Sequence, residues 1–215
     1  MNVSIISIIV YVSTFSVLAP LIMGLYTGDW TNRFSNLLIT LCVVSLLSDL
    51  ISLIFTHFRI NNWPVGNLFL LIQFIILFIV GDNRKNNLLT ATFFICVAFG
   101  VLDFLVLQTP IVFNSFSAYA NGILMIIFSL SFLYRVMVEM PVERVQSLPL
   151  FWLSFGVLVY YGGNTFLFLF NNYLIERLPR SHRVIWMLHN VLNISKNLFL
   201  FLTLWANYKN RTYQR

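Results

Sequence analysis

Lys196 is the one lysine of the chain that stands inside an apolar stretch, in the segment HNVLNISKN at positions 189–197. An ammonium at the middle of a membrane-spanning helix costs about 2.5 to 3.5 kcal/mol to insert. Such a group therefore marks a function and requires a partner. The candidate partner is Asp49, which shares one helical face with Ser45, Ser48, Ser52 and Thr56. Lysine and aspartate at that depth can form an ion pair, hold a polar ligand, or supply the Schiff base and counter-ion of an opsin-like retinal protein built on Lys196. Three histidines, His57, His182 and His189, raise the further question of zinc. His182 and His189 are seven residues apart, roughly 10 Å along a helix, which is too far to share a metal with bonds of about 2 Å. HExxH, GxSxG and P-loop motifs are absent from the sequence. The expectation is a protein that is not an enzyme, with no catalytic residue, no metal and no cofactor.

The elements that carry these residues follow from composition. The 215 residues are 59% hydrophobic and only 9% charged, with a mean hydropathy of +0.85. Too few charges remain to coat a soluble surface, so the chain belongs in the lipid bilayer. A net charge of +6 does not indicate nucleic acid, because the basic residues sit in short loops rather than in a patch. Cys42 and Cys96 fall in apolar runs and act as small hydrophobes.

A span needs about 20 apolar residues, and seven runs qualify: 3–25, 34–58, 63–80, 88–107, 111–134, 149–172 and 184–208. The expected fold is an all-α integral membrane protein with seven transmembrane helices. Residues 1–208 form the transmembrane domain and 209–215 a short basic cytoplasmic tail. The apolar N-terminal stretch reads as a retained first helix rather than a signal peptide. Pro64 and Pro149 stand at helix starts, while Pro20 lies inside the first helix and bends it. Arg33, Arg84, Lys85, Arg135, Arg144, Lys209, Arg211 and Arg215 gather on one side, leaving Arg59, Arg177, Arg180 and Arg183 on the other. The positive-inside rule then puts the N-terminus outside and the C-terminus in the cytoplasm of an inner (plasma) membrane protein. All five tryptophans fall at span ends, Trp30, Trp152 and Trp205 inside and Trp63 and Trp186 outside, as interfacial belts require.

Polar side chains within spans face the bundle interior. In the last span His189, Asn193, Lys196 and Asn197 form one stripe, matching that of Asp49 in the second. Asp49 lies roughly 13 Å and Lys196 roughly 20 Å below the outer ends of their helices. Side chains lean toward the N-terminus of their own helix, so these two lean toward each other and are expected to pair. The same arithmetic gathers an outward-facing pocket from Asp49, Gln73, Tyr119, Asn121, Tyr160, Asn164, His189, Asn193 and Lys196, with Tyr11 and Tyr161 in the same layer. Asp103 reads as a solvated interfacial carboxylate, and Gly162 with Gly163 as a notch for helix packing.

Three classes accommodate such a pocket: a receptor-like sensor, a small solute transporter of the three-plus-one-plus-three type, and the opsin-like protein. A loose match of VSLLSDLISLIF (44–55) with VYYGGNTFLFLF (159–170) pairs Asp49 with Asn164 and suits the transporter. The final third of the chain, LPLFWLSFGVLVYYGGNTFLFLFNNYL (148–174) with IWMLHNVLNISKNLFLFLTLW (185–205), resembles a family of small, uncharacterised bacterial seven-helix membrane proteins whose genes accompany sensor histidine kinases. In related proteins an acidic residue is expected where Gln73 stands. The resemblance implies a receptor-like protein with a sensor kinase or other membrane partner; the remaining expected partners are the lipid bilayer and a small ligand of unknown identity, with no nucleic acid.

The orientation has a direct check. Green fluorescent protein fused after Arg215 is expected to fluoresce and alkaline phosphatase fused there to be inactive; the opposite pattern would invert the assignment.

Overall fold

A computed structural model describes residues 3–27, 32–81, 87–108, 112–138 and 144–214, without the side chains of 3–5, 179–183 and 211–214. Among these residues the secondary structure is helical, without a strand. The helices are α1 (Val3–Ser16), α2 (Leu18–Thr27), α3 (Arg33–His57), α4 (Trp63–Val80), α5 (Asn87–Leu102), α6 (Ser115–Val138), α7 (Pro149–Arg177) and α8 (Pro179–Gln214). A π turn, Asp103–Leu107, prolongs α5, and a 3-10 turn, Val145–Ser147, precedes α7. Six stretches are long and apolar enough to cross a membrane, α1 and α2 together making one of them. The seventh, α8, is the longest helix, and its polar stripe is what lowers its hydropathy. The chain is an all-α, multi-pass membrane protein.

Each span packs against the next in chain order, and α8 returns to α1 and α2, closing a ring. The break in the first span comes at Val17, three residues before Pro20. Proline lacks an N–H and its ring clashes with the carbonyl four residues back, here that of Ser16. At this break α8 provides substitute bonds: Asn193 Nδ2 donates to Ser13 Oγ at 3.0 Å and Asn197 Nδ2 to Ser16 Oγ at 2.7 Å. Pro64 and Pro149 stand in the first turn of α4 and α7, and Asn32 Oδ1 caps α3 by accepting from Phe34 N at 2.8 Å.

The spans differ from the sequence expectation at three places. First, α6 begins at Ser115 rather than at 111, because two polar residues hold the preceding segment, 112–114, out of the helix. Asn67 Nδ2 donates to Val112 O at 2.7 Å and to Asn114 Oδ1 at 2.9 Å, while Asn114 N returns a bond to Asn67 Oδ1 at 3.0 Å. Second, Asp103 is fully buried rather than solvated; its Oδ2 accepts from Ser117 N at 3.1 Å. The carboxylate caps the N-terminus of α6 from a neighbouring helix, where orphan N–H groups and the helix dipole favour negative charge. Third, α8 runs past 208 to Gln214, so the basic residues after the last span continue its helix. Lys209 lies over the Trp205 ring at 4.1 Å, and Asn210 Nδ2 donates to Ser147 O at 2.8 Å. Trp30, Arg84, Lys85 and Arg215 lie outside the described residues.

Small residues set the approach of α7 to α8. A Cβ on Gly156 would meet the Phe199 side chain, and one on Gly163 the Leu192 side chain, while Gly162 has open space around it. The notch therefore belongs to Gly163 and Gly156, one heptad apart on a single face. Below the middle of the ring, Phe74, Phe78 and Phe93 stack and fill the interior, with Phe78 and Phe93 only 3.8 Å apart at their centroids.

Overpacking a well-filled contact costs about 1–3 kcal/mol. Gly163→Leu is accordingly expected to lower the unfolding midpoint in detergent, whereas Gly162→Ala is expected to leave it equal or higher, because alanine is favoured over glycine in a helix by about 1 kcal/mol. Equal effects of the two substitutions would refute this assignment.

Candidate binding site

α8 provides the centre of the site. Lys196 retains 4% of its surface, and its Nζ donates to Gln73 Oε1 on α4 at 3.0 Å. Gln73 has no exposed surface, and its amide nitrogen donates in turn to the Tyr161 hydroxyl on α7 at 2.9 Å. The ammonium also lies over the Tyr160 ring at 4.7 Å and the Phe69 ring at 5.6 Å, both within cation–π range. The expected Asp49–Lys196 ion pair is not formed, although α3 and α8 are neighbours as anticipated. The lysine instead reaches between α4 and α7, and Asp49 Oδ2 is buried without a hydrogen-bond partner. Gln73 occupies the place where a carboxylate would complete an ion pair with Lys196.

Above this network lies a cavity of about 260 Å³ enclosed by α1, α3, α4, α7 and α8. One wall is polar: Ser48, Asp49, Ser52 and Thr56 of α3, facing His189, Asn190 and Asn193 of α8. The other wall is aromatic, made by Trp63 and Phe69 of α4, Phe113 of the segment before α6, Tyr160 and Phe168 of α7, and Trp186 of α8. Phe113 sits against Trp63 and Trp186, with ring centroids 5.4 and 6.0 Å away. Asparagines hold this cluster: Trp186 Nε1 donates to Asn171 Oδ1 at 2.8 Å, and Asn172 Nδ2 donates to Phe113 O at 3.0 Å. Below Lys196 the interior closes. A gap beside it measures about 10 Å³ and is lined by residues such as Leu41, Leu77, Leu153 and Leu200.

His189 links cavity and network. Asn164 directs its amide nitrogen to Tyr160 O at 2.9 Å, which turns its oxygen toward His189 Nδ1 at 3.0 Å. An amide oxygen only accepts, so Nδ1 carries the proton and Nε2 is left as an acceptor. Trp186 lies 4.6 Å from the imidazole, centroid to centroid.

No family model, curated protein or solved structure matches the chain. The site therefore rests on its own geometry.

Of the nine residues expected in the pocket, Asp49, Tyr160, His189 and Asn193 line the cavity. Gln73, Asn164 and Lys196 form the hydrogen-bonded layer beneath and beside it. The structure sends the other two elsewhere. Asn121 lines a separate cavity of about 200 Å³ among α4, α5 and α6, and its Oδ1 is buried without a partner. Tyr119, half-buried, is on neither cavity's lining. The depth arithmetic placed both at the right level, but α6 is separated from α3 and α8 by α4 and α7. Tyr11, assigned to the same layer, is 54% exposed on the outer face of α1. His57 is exposed at the end of α3, and the side chain of His182 is outside the described residues. The aromatic wall was missed, because tryptophan and phenylalanine in apolar helices look the same whether they face lipid or a cavity.

Removing one partner of a buried hydrogen-bonded pair costs about 1–3 kcal/mol, and more when a charge is stranded. Gln73→Leu is expected to destabilise the bundle by at least that amount in detergent unfolding, and Lys196→Met in the same chain to restore a large part of the loss. Additive effects in this double-mutant cycle would contradict the contact.

Proposed function

We propose that this chain is a receptor-like seven-helix protein of the inner (plasma) membrane that senses a small molecule in the cavity above Lys196. The observation that carries this reading is the pairing of a 260 Å³ cavity with a polar wall that holds an unmet buried group, Asp49 Oδ2. Ligand sites of drug size occupy about 300–1,000 Å³, so the space suits a molecule at the small end of that range. An unpartnered carboxylate oxygen in a bilayer is costly unless something arrives to satisfy it. In the orientation given by loop charge, the cavity opens outward.

Output runs toward the other end. α8 carries His189 and Asn193 at the cavity and Asn210 at the 145–147 turn, roughly 30 Å apart along one helix. A ligand that binds one packing of the bundle better than another shifts the population toward it, and the turn preceding α7 is where a partner can read the change. A sensor kinase or another membrane partner fits that role. Two observations favour this reading over a solute carrier: the ring closes in chain order, and the interior below Lys196 is filled by leucines and stacked phenylalanines. An opsin-like role is disfavoured by the position of Lys196, which is under Tyr160 and Phe69 and outside the cavity lining.

The test uses a fluorophore on Ser147→Cys in a Cys96→Ala background, in nanodiscs. Filling the cavity with Ser52→Trp is expected to shift the label's emission, while a Trp placed at the lipid-exposed Ile95 is not. An unchanged label with Ser52→Trp would end the sensor reading, and counterflow of labelled sugars or amino acids into proteoliposomes would replace it with a carrier.

A further inference from the structure

The chemistry of the cavity's unmet groups narrows the ligand. This step rests on the cavity being a binding site, as proposed above. N–H donors around the cavity bond within the protein: Asn190 Nδ2 to Trp186 O, Asn193 Nδ2 to Ser13 Oγ, Trp186 Nε1 to Asn171 Oδ1, and His189 Nδ1 to Asn164 Oδ1, the two amides each keeping one further N–H. Thr56 likewise donates to Ser52 O, and its oxygen accepts from Asn62. These residues also leave acceptors, the side-chain oxygens of Asn190 and Asn193 and Nε2 of His189, and beside them stands the carboxylate of Asp49, whose Oδ2 is buried without a partner. Among the described residues Asp49 is also the single aspartate, glutamate, lysine or arginine of the lining.

A ligand entering such a space must bring donors and is favoured if it brings positive charge. The opposite wall suits the same partner. Aromatic faces attract cations through their quadrupole, and Trp63, Phe69, Tyr160 and Trp186 supply them. The protein already uses two of these rings in this way, since Lys196 Nζ lies over Phe69 and Tyr160. That ammonium is held by Gln73 and so leaves Asp49 for a second cation.

We propose that the cavity binds a small organic cation, with its ammonium donating to the Asp49 carboxylate and its apolar part lying on the Trp63–Phe113–Trp186 cluster. A neutral donor would satisfy the oxygens but not the charge, and an anion would meet the Asp49 carboxylate while the Lys196 ammonium stays on Gln73, outside the cavity lining.

The probes are benzylammonium, benzyl alcohol and benzoate, which share one ring and differ in charge, titrated by calorimetry into the protein in nanodiscs with empty discs subtracted. Benzylammonium is expected to bind saturably and about tenfold or more tighter than benzyl alcohol, a ratio equivalent to about 1.4 kcal/mol. Benzoate is expected not to saturate. Asp49→Asn should abolish the preference and Asp49→Glu retain it, with size-exclusion profiles confirming that both variants fold. If benzyl alcohol or benzoate binds as tightly as the amine and Ser52→Trp displaces it, the cation assignment fails while the cavity remains a binding site. If no probe binds, the cation assignment also fails, and the label at Ser147→Cys then decides separately whether the cavity senses anything.

Discussion

Hydrocarbon offers a buried ammonium no hydrogen bond, so Lys196 has to be solvated by protein, and three helices are arranged to do so. Gln73 on α4 accepts from it, Tyr160 on α7 and Phe69 on α4 present their ring faces, and Tyr161 holds the far side of Gln73. These contacts bind α4, α7 and α8 together at mid-height. They also separate two kinds of interior. Beneath lies close-packed leucine and phenylalanine; above lies a cavity whose walls the same helices hold apart. A neutral residue at 196 would remove the need for Gln73 at that depth, and with it the boundary between the two halves.

The remaining polar residues follow the same constraint at smaller scale. Asparagines recur at such places: Asn193 and Asn197 beside the break at Val17, Asn67 beside the non-helical segment 112–114, Asn171 and Asn172 beside the aromatic cluster. Each supplies bonds that water would supply in a soluble protein. Asp103 does this for the start of α6. Most intramembrane polarity in the chain is thus structural, which gives weight to the few groups, Asp49 above all, that serve no such purpose.

Hydropathy alone located the spans within a few residues, and the positions of Pro20, Pro64 and Pro149 foretold a break and two helix starts. The polar stripes of the second and seventh spans were also legible, because a 3.6-residue period is a one-dimensional property. What depth and period do not encode is which helices face each other. Lys196 was therefore assigned the partner of opposite charge, Asp49, when a neutral amide on α4 was nearer to its reach. Tyr119 and Asn121 failed for the same reason, sharing a level with the cavity but lying behind other helices. The start of α6 was missed because it depends on Asn67, a residue more than 40 positions away in sequence.

After Pro179, α8 contains neither glycine nor proline through Gln214, so it has no residue that lets it bend easily. It packs against the two glycines of α7 through Leu192 and Phe199. A stiff rod held near that point behaves as a lever with unequal arms. From the middle of the contact, His189 is roughly 10 Å away and Asn210 roughly 22 Å, so a tilt moves the far end about twice as far as the near end. The first span, jointed at Val17, is the compliant neighbour against which such a tilt can be taken up.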